Sequence, residues 1–204
     1  ISHDLQTPIT RLRLRAELLD DEPLRTRVQA DLDSMQALIK EGLVYARSLD
    51  DAAPAQAVDV DSLLEALRED ALDMGWKISL SGSVGVPVLA RPTAVRRALW
   101  NLIENGAKFG GAVEIQVSST PQMIEIHIRD PGPGLPASEL EKVFEPFYRL
   151  ETSRNRDTGG TGLGLAIARN LLRRQQGQVH LHNHPAGGLE AVVVLPRKPG
   201  SSAA

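Results

Sequence analysis

The sequence predicts an α+β chain, a helical hairpin in front and a two-layer α/β sandwich behind. Three observations carry this. Two apolar stripes with heptad spacing fill residues 1–49. Only 1 of the 17 glycines, Gly42, lies before residue 75, so turns concentrate in the back. Only 7 of 204 residues are aromatic, 3%, which argues against a large aromatic-rich β-sandwich core.

The first stripe is Leu5, Ile9, Leu12, Ala16 and Leu19, spaced 4, 3, 4, 3. The second runs Val28, Leu32, Met35, Ile39, Gly42, Ala46 and Leu49. Such spacing makes one narrow apolar seam per helix. Asp20-Asp21-Glu22-Pro23 between them suits a helix start. Two helices cannot bury two seams well, so the hairpin predicts a homodimeric four-helix bundle. Gly42 and Ala46 lie roughly opposite His3, where their small size would let the helices bend.

Residues 51–58 read as a linker and residues 59–199 as the second domain, with 200–204 a tail. Within it the pattern predicts helices at 61–74, 92–109 and 163–176. Strands are expected at 77–81, 86–90, 113–118, 123–129, 178–183 and 189–195, forming one mixed sheet with helices on one face. Residues 131–161 are too long and too rich in Gly, Pro and charge for an ordinary connection, and read as a lid.

Composition narrows the function classes. Net charge is −3, against a nucleic-acid binder that relies on a basic face. Zero cysteines exclude a disulfide framework, a thiolate zinc site and a cysteine nucleophile. No apolar run approaches the roughly 20 residues that span a bilayer. Ile1 lies inside a running helical pattern, which predicts a fragment of a longer protein.

Four motifs carry chemistry. His3-Asp4-Leu5-Gln6-Thr7-Pro8 places an imidazole away from the seam, beside a carboxylate, with Thr7 one turn on. Such an imidazole can be a nucleophile, the carboxylate taking the proton of one ring nitrogen. Equally, it can be an ordinary exposed histidine near a helix start. Asn101, Asn105 and Lys108 fall at i, i+4 and i+7 on one helix face. Amide oxygens suit Mg²⁺ and a lysine suits phosphate, while the plain reading is a solvated face. Asp130-Pro131-Gly132-Pro133-Gly134 follows a strand, where a carboxylate can accept from an exocyclic amine; it can also be a simple turn. Gly159-Gly160-Thr161-Gly162-Leu163-Gly164-Leu165 opens a helix, and free N–H groups there favour an anion. It matches neither a dinucleotide fingerprint nor a Walker sequence.

Together, in this order, these motifs resemble the sensor histidine kinases of two-component systems, in particular the EnvZ-like class. HDLQTP matches the phosphoacceptor box, NLIENGAKFG the asparagine box and DPGPG the first glycine box. FEPFYR matches the phenylalanine box and GTGLGLAIA the second glycine box. The resemblance covers residues 1–196. It implies a Bergerat-type (GHKL) ATP-binding fold for the back half, with ATP and Mg²⁺ as cofactors. It implies autophosphorylation of His3, phosphotransfer to an aspartate on a response-regulator receiver domain, and phosphatase action toward that regulator.

By the same resemblance, Asp4 is the orienting acid/base of His3 and Thr7 positions a water for dephosphorylation. Asn105 holds the metal, with Asn101 and Lys108 around the phosphates. Asp130 reads adenine, flanked by Gly132 and Gly134. Thr161, Gly162, Leu163 and Gly164 cradle phosphate, and Arg149 on the lid approaches the γ-phosphate. The partners implied are a second copy and the regulator, with no nucleic acid. The membrane enters only through an absent upstream sensor, so a cytoplasmic domain of a bacterial inner-membrane protein is expected.

Two departures stand out: Gly106 replaces the usual alanine, and Pro131 and Pro133 stiffen the first glycine box. Chaperone-type relatives of the fold carry a water-activating glutamate one turn before the metal asparagine. Here that position is Asn101, which cannot act as a base. The alternatives are a dimeric nucleotide-sensing module without kinase activity and a chaperone-type ATPase. The rings of Phe144, Phe147 and Tyr148 are expected to dock the lid when nucleotide binds. His180, His182 and His184 alternate along a strand with no carboxylate near in sequence, and are given no role.

Overall fold

The computed structural model describes residues 2–48, 54–150 and 160–197. Side chains of residues 2–6, 44, 47 and 48 lie outside that description. The chain divides into two compact units, Ile1–Asp50 and Asp51–Ala204.

The first unit is an antiparallel pair of helices, α1 (Ser2–Ala16) and α2 (Glu22–Ser48). α1 runs on through Pro8 and ends three residues before the last stripe residue, Leu19. At the start of α2, Asp21 Oδ1 accepts from Leu24 N–H at 2.9 Å, which satisfies a backbone donor that the helix itself cannot. The seam is only partly buried within one chain. Ile9, Ala16 and Leu32 are buried, with Val28 and Ile39 packed against them. Leu12 and Met35, on the same stripes, keep 45% and 46% of their surface in solvent. Arg13 clasps Asp33 and Gln36 across the pair.

The second unit is a five-stranded mixed sheet with three helices packed on one face. Its elements are β1 (Gln56–Val58), α3 (Val60–Asp73), β2 (Lys77–Gly82), β3 (Val88–Ala90), α4 (Pro92–Gly110), β4 (Ala112–Ser119), β5 (Met123–Asp130), α5 (Gly164–Arg173), β6 (Gln178–Asn183) and β7 (Leu189–Pro196). The strand order is β2-β4-β5-β7-β6. Only β2 and β4 run parallel, joined by the crossover that contains α4; the other pairs are antiparallel.

Two expectations need correction here. Gln56–Val58 belongs to no linker: it pairs antiparallel with Val88–Ala90 and buries Val58. Three residues are too short to show a period, so the sequence conceals this strand. In turn, β3 stands in that separate two-stranded sheet rather than the main one.

The core forms where period two meets period 3.6. β4 offers Val113, Ile115 and Val117, and β5 offers Ile124, Ile126 and Ile128, all buried. α3 answers with Leu64 and Leu67, and α4 with Leu99 and Ile103, each fully buried. Asp59 caps α3 by accepting from Ser62 N–H at 3.1 Å. Pro92 opens α4, and Gly111 closes it at φ 73°. Trp76 and Trp100 stack with ring centres 5.3 Å apart, and Asp70 pairs with Arg96 to tie α3 to α4. The aromatic-poor core is thus aliphatic throughout, apart from Phe144, described below.

Gly42 sits inside α2, and a methyl added there meets nothing within 4 Å. Glycine costs a helix interior about 1 kcal/mol against alanine. Gly42→Ala should therefore stabilise the hairpin by about 1 kcal/mol in urea unfolding followed by circular dichroism. Unchanged or lowered stability would show that a second helix pair needs that space.

Candidate functional site

The site is built where α4, the end of β5 and the start of α5 meet. Apolar residues of α4 face the sheet, so Asn101, Asn105 and Lys108 are left along the opposite side. Asn101 and Asn105 are half-buried and Lys108 is exposed. The glycine-rich stretch runs beside that face. A methyl on Gly160 would lie 2.8 Å from Lys108 Nζ, and one on Gly164 would lie 3.8 Å from Asn101 Oδ1. Residues 52 and 63 apart in sequence are therefore neighbours. Asn101 Nδ2 is buried and finds no hydrogen-bond partner among the described residues. A buried amide without a partner costs about 1–3 kcal/mol, so it is poised for a ligand or water.

Asp130 ends β5 and is the one buried charged residue among those described, at 5% exposure. Burial pushes its carboxyl above the ordinary carboxylate range. The N–H groups of Gly132 and Leu189 and the charge of Arg129 pull the other way without reversing it. Glycines make room around it. Methyls on Gly110 and Gly132 would come within 2.7 and 2.6 Å of Asp130 Oδ1. The carboxylate faces Gly106 and Gly110 on α4, the helix that carries the two asparagines.

The helix opening agrees with an anion site. Gly162, at φ 77°, presses so close to Phe147 and Tyr148 that a methyl would sit 2.7 Å from the Tyr148 carbonyl oxygen. Phe147 N–H in turn donates to Gly162 O at 3.0 Å. Leu163 is fully buried and Thr161 half-buried, so the Leu163 side chain belongs to the core. Arg149 is half-buried at the edge of the described chain; residues 151–159, in the last third of the expected lid, lie outside the described residues.

The first part of that lid is not a loose loop. A short 3₁₀ turn, Lys142–Phe144, buries Val143 and Phe144. Arg169 of α5 stacks on the Phe144 ring at 4.7 Å and bonds Glu141 at 2.6 Å and Phe144 O at 3.2 Å. Tyr148 donates to Glu139, and that bond holds the Glu139 carboxyl below its usual range. The three rings therefore do not act together. Phe144 is core at 1% exposure, whereas Phe147 is 58% exposed at φ 65°. Arg169 gives no motif signal in the sequence, and no reading of spacing would have found it.

In the first unit, His3 and Asp4 fall in α1, but their side chains lie outside the described part. Thr7 is exposed one turn later.

A family model described as "Histidine kinase-, DNA gyrase B-, and HSP90-like ATPase" matches residues 90–199, more than half of the chain. The chain belongs to that family. Among relatives, it is 39% identical over 197 residues to sensor histidine kinase GtrS of Pseudomonas aeruginosa, covering 97% of this chain and 41% of GtrS. The chain spans less than half the length of the curated relatives it matches. A crystal structure of full-length ShkA in complex with AMPPNP superposes with TM-score 0.73 at 25% identity, over 98% of this chain and 45% of ShkA. The ATP-binding domain of PrrB from Mycobacterium tuberculosis superposes with TM-score 0.60 at 30% identity, over 72% of this chain and 99% of that domain. These relatives place the chain with the sensor histidine kinases, and its second unit is a GHKL-type ATP-binding domain.

Within this ATP-binding domain the histidine triplet resolves differently from its sequence pattern. His184 lies beyond β6 and accepts from Ala186 N–H at 3.2 Å. His180 meets Gln178 Oε1 at 3.1 Å. A carboxylate does reach His182: Glu190 of β7 lies 2.7 Å from His182 Nε2, and 3.5 Å from His127 Nδ1 on β5. Sequence distance hid it, because strand pairing supplies it. Among the described residues no group of three or more such side chains is arranged to hold a metal.

Two expected outcomes follow from the site. Asp130 binds its proton more tightly folded than unfolded. Its contribution to stability is thus full below about pH 3.8 and is lost as pH rises through its raised folded pKa. Asp130→Asn should raise the melting temperature at pH 7 and flatten this part of the pH profile, while ADP affinity falls by at least about tenfold. A lower melting temperature at pH 7 would contradict the burial argument. Phe144→Ala should cost about 3–5 kcal/mol in urea unfolding, and Phe147→Ala no more than about 0.5 kcal/mol. Equal costs would mean both rings are core.

Proposed function

We propose that the chain is the catalytic core of a sensor histidine kinase that transfers the γ-phosphoryl group of ATP to His3. The observation that carries this reading is the meeting of Asn101, Asn105, Lys108, Asp130 and the second glycine box at one end of the sandwich, on a chain that also carries HDLQTP. Asp130 would accept from the exocyclic amine of adenine. Lys108 and the N–H groups of Gly162 and Gly164 would meet phosphate charge. The amide oxygen of Asn105 is a hard donor that suits Mg²⁺, which when bound would neutralise charge between the phosphates. Asn101 Nδ2, buried without a partner, supports a polar ligand in this place.

In the transfer, the unprotonated ring nitrogen of His3 would form a bond to phosphorus as the bond to the bridging oxygen breaks. ADP leaves with the electron pair. Asp4 would hold the proton on the other ring nitrogen. Because Asn101 stands where a water-activating base would be needed, ATP should survive until His3 arrives. The phosphoryl group would then pass to an aspartate of a receiver domain, with Thr7 assisting its later hydrolysis. A second copy would cover the exposed seam residues Leu12 and Met35. No described helix is long and apolar enough to cross a membrane. We place this core in the cytoplasm, tied to the inner membrane by a sensor segment.

The test is incubation with γ-labelled ATP. The chain should acquire acid-labile, alkali-stable label, absent in His3→Ala and in Asn105→Ala. Steady phosphate release by His3→Ala would point to an ATPase instead. Nucleotide binding without label would leave a sensing module.

A further inference from the structure

Asp130, Leu189 and Asn183 stand in one row across β5, β7 and β6, as each strand's register partner. The chain that leaves Asp130 crosses the start of β7 and reaches Asn183, the last residue of the edge strand. There Leu135 N–H donates to Asn183 Oδ1 at 2.8 Å, and Asn183 Nδ2 donates to Leu135 O at 2.7 Å. The side-chain amide therefore stands in for a peptide group, accepting and donating at once. Asparagine is the short side chain that does both from separate atoms, as a peptide group does.

The loop's own composition makes this clamp matter. Pro131 and Pro133 have no N–H, so residues 131–135 hold only three backbone donors. Gly132 N–H is spent on Asp130 Oδ1 at 2.8 Å, and Leu135 N–H on Asn183. Both ends of the loop are thus fixed, one on the buried carboxylate and one on β6. Glycines allow the approach. Gly134, at φ 71°, leaves room where a methyl would lie 2.5 Å from Asn183 Oδ1; at Gly188, φ 92°, a methyl would lie 1.8 Å from Asp130 O.

We propose that Asn183 is a positioning residue for base recognition: by clamping Gly134–Leu135 it holds the 131–135 loop, and through Gly132 the Asp130 carboxylate, in the place that reads the base. This rests on Asp130 as the base-reading group. The clamp lies on β6 and the loop after β5, whereas the phosphate-side residues lie on α4 and at the start of α5.

The test uses the full 204-residue chain, with ADP and IDP titrated by calorimetry. IDP carries an exocyclic carbonyl oxygen in place of the exocyclic amine. Wild type should prefer ADP. Asn183→Ala should weaken ADP about tenfold and IDP less than about twofold, so that the preference collapses while the melting temperature stays within about 2 °C. Asn183→Asp keeps the acceptor but sets a carboxylate oxygen against Leu135 O, and should fail to restore the preference. Unchanged discrimination in Asn183→Ala, or equal weakening of both nucleotides, would overturn the proposal while leaving Asp130 as reader. Equal binding of ADP and IDP by wild type would remove that reading and the proposal together.

Discussion

A carboxylate buried at the end of β5 is the constraint around which the ATP-binding domain is arranged. Asp130 can neither be exposed without losing its place beside α4 nor be crowded by side chains. The chain answers with glycine at 110 and 132, where a methyl would collide with the Asp130 side chain, and at 188, where it would collide with the Asp130 backbone; a methyl on Gly106 would make only ordinary contact with Asp130. Two of the four lie on α4, one in the loop after β5, and one at the turn before β7. The carboxylate itself thus dictates residue choice in two elements, α4 and the loop after β5. It also explains why the sheet register matters to binding, because a slip of one residue would send Asp130 to the open face.

The same economy governs the lid. Phe147 N–H bonds Gly162 O, and the stretch before it is held on α5 by Arg169 through Phe144 and Glu141. The left-handed backbone at Phe147 costs energy for a bulky residue, and its ring gains no burial in return. The Phe147–Gly162 bond is what the structure obtains from that strain.

Much of this was legible in the sequence, and what was hidden has physical reasons. Heptad spacing revealed both helices of the hairpin, since a repeated period needs only one chain to show itself. The strands of the main sheet showed through alternation, and β6 matched its expected limits at Gln178 and Asn183. Short strands did not: Gln56–Val58 holds too few residues for a period. Groups acting through strand pairing were also invisible. Asn183 and the Glu190 carboxylate beside two histidines are brought into place by register, and Arg169 by the packing of α5 on the 3₁₀ turn, which no local motif records. Phe144 and Phe147 look alike in FEPFYR, yet one is core and one is solvent, a difference that depends on where α5 lies.

Gly106 illustrates how the site overrides local preference. Glycine there costs α4 about 1 kcal/mol against alanine, and the family's usual alanine would seem the better choice. A methyl at that position, however, would lie 3.2 Å from Val113 Cγ2 and 3.5 Å from Asp130 Cβ. The first contact requires Val113 to give way by a few tenths of an ångström beneath the buried carboxylate, while the second is an ordinary van der Waals contact. The adjoining strand carries β-branched Val113 rather than a smaller residue, so the space has been used once already, by the core. Helix propensity, sheet packing and ligand geometry compete at one carbon atom. Here the helix yields, because its loss is small and solvent-independent, whereas displacing Asp130 would disturb every element that meets at the site.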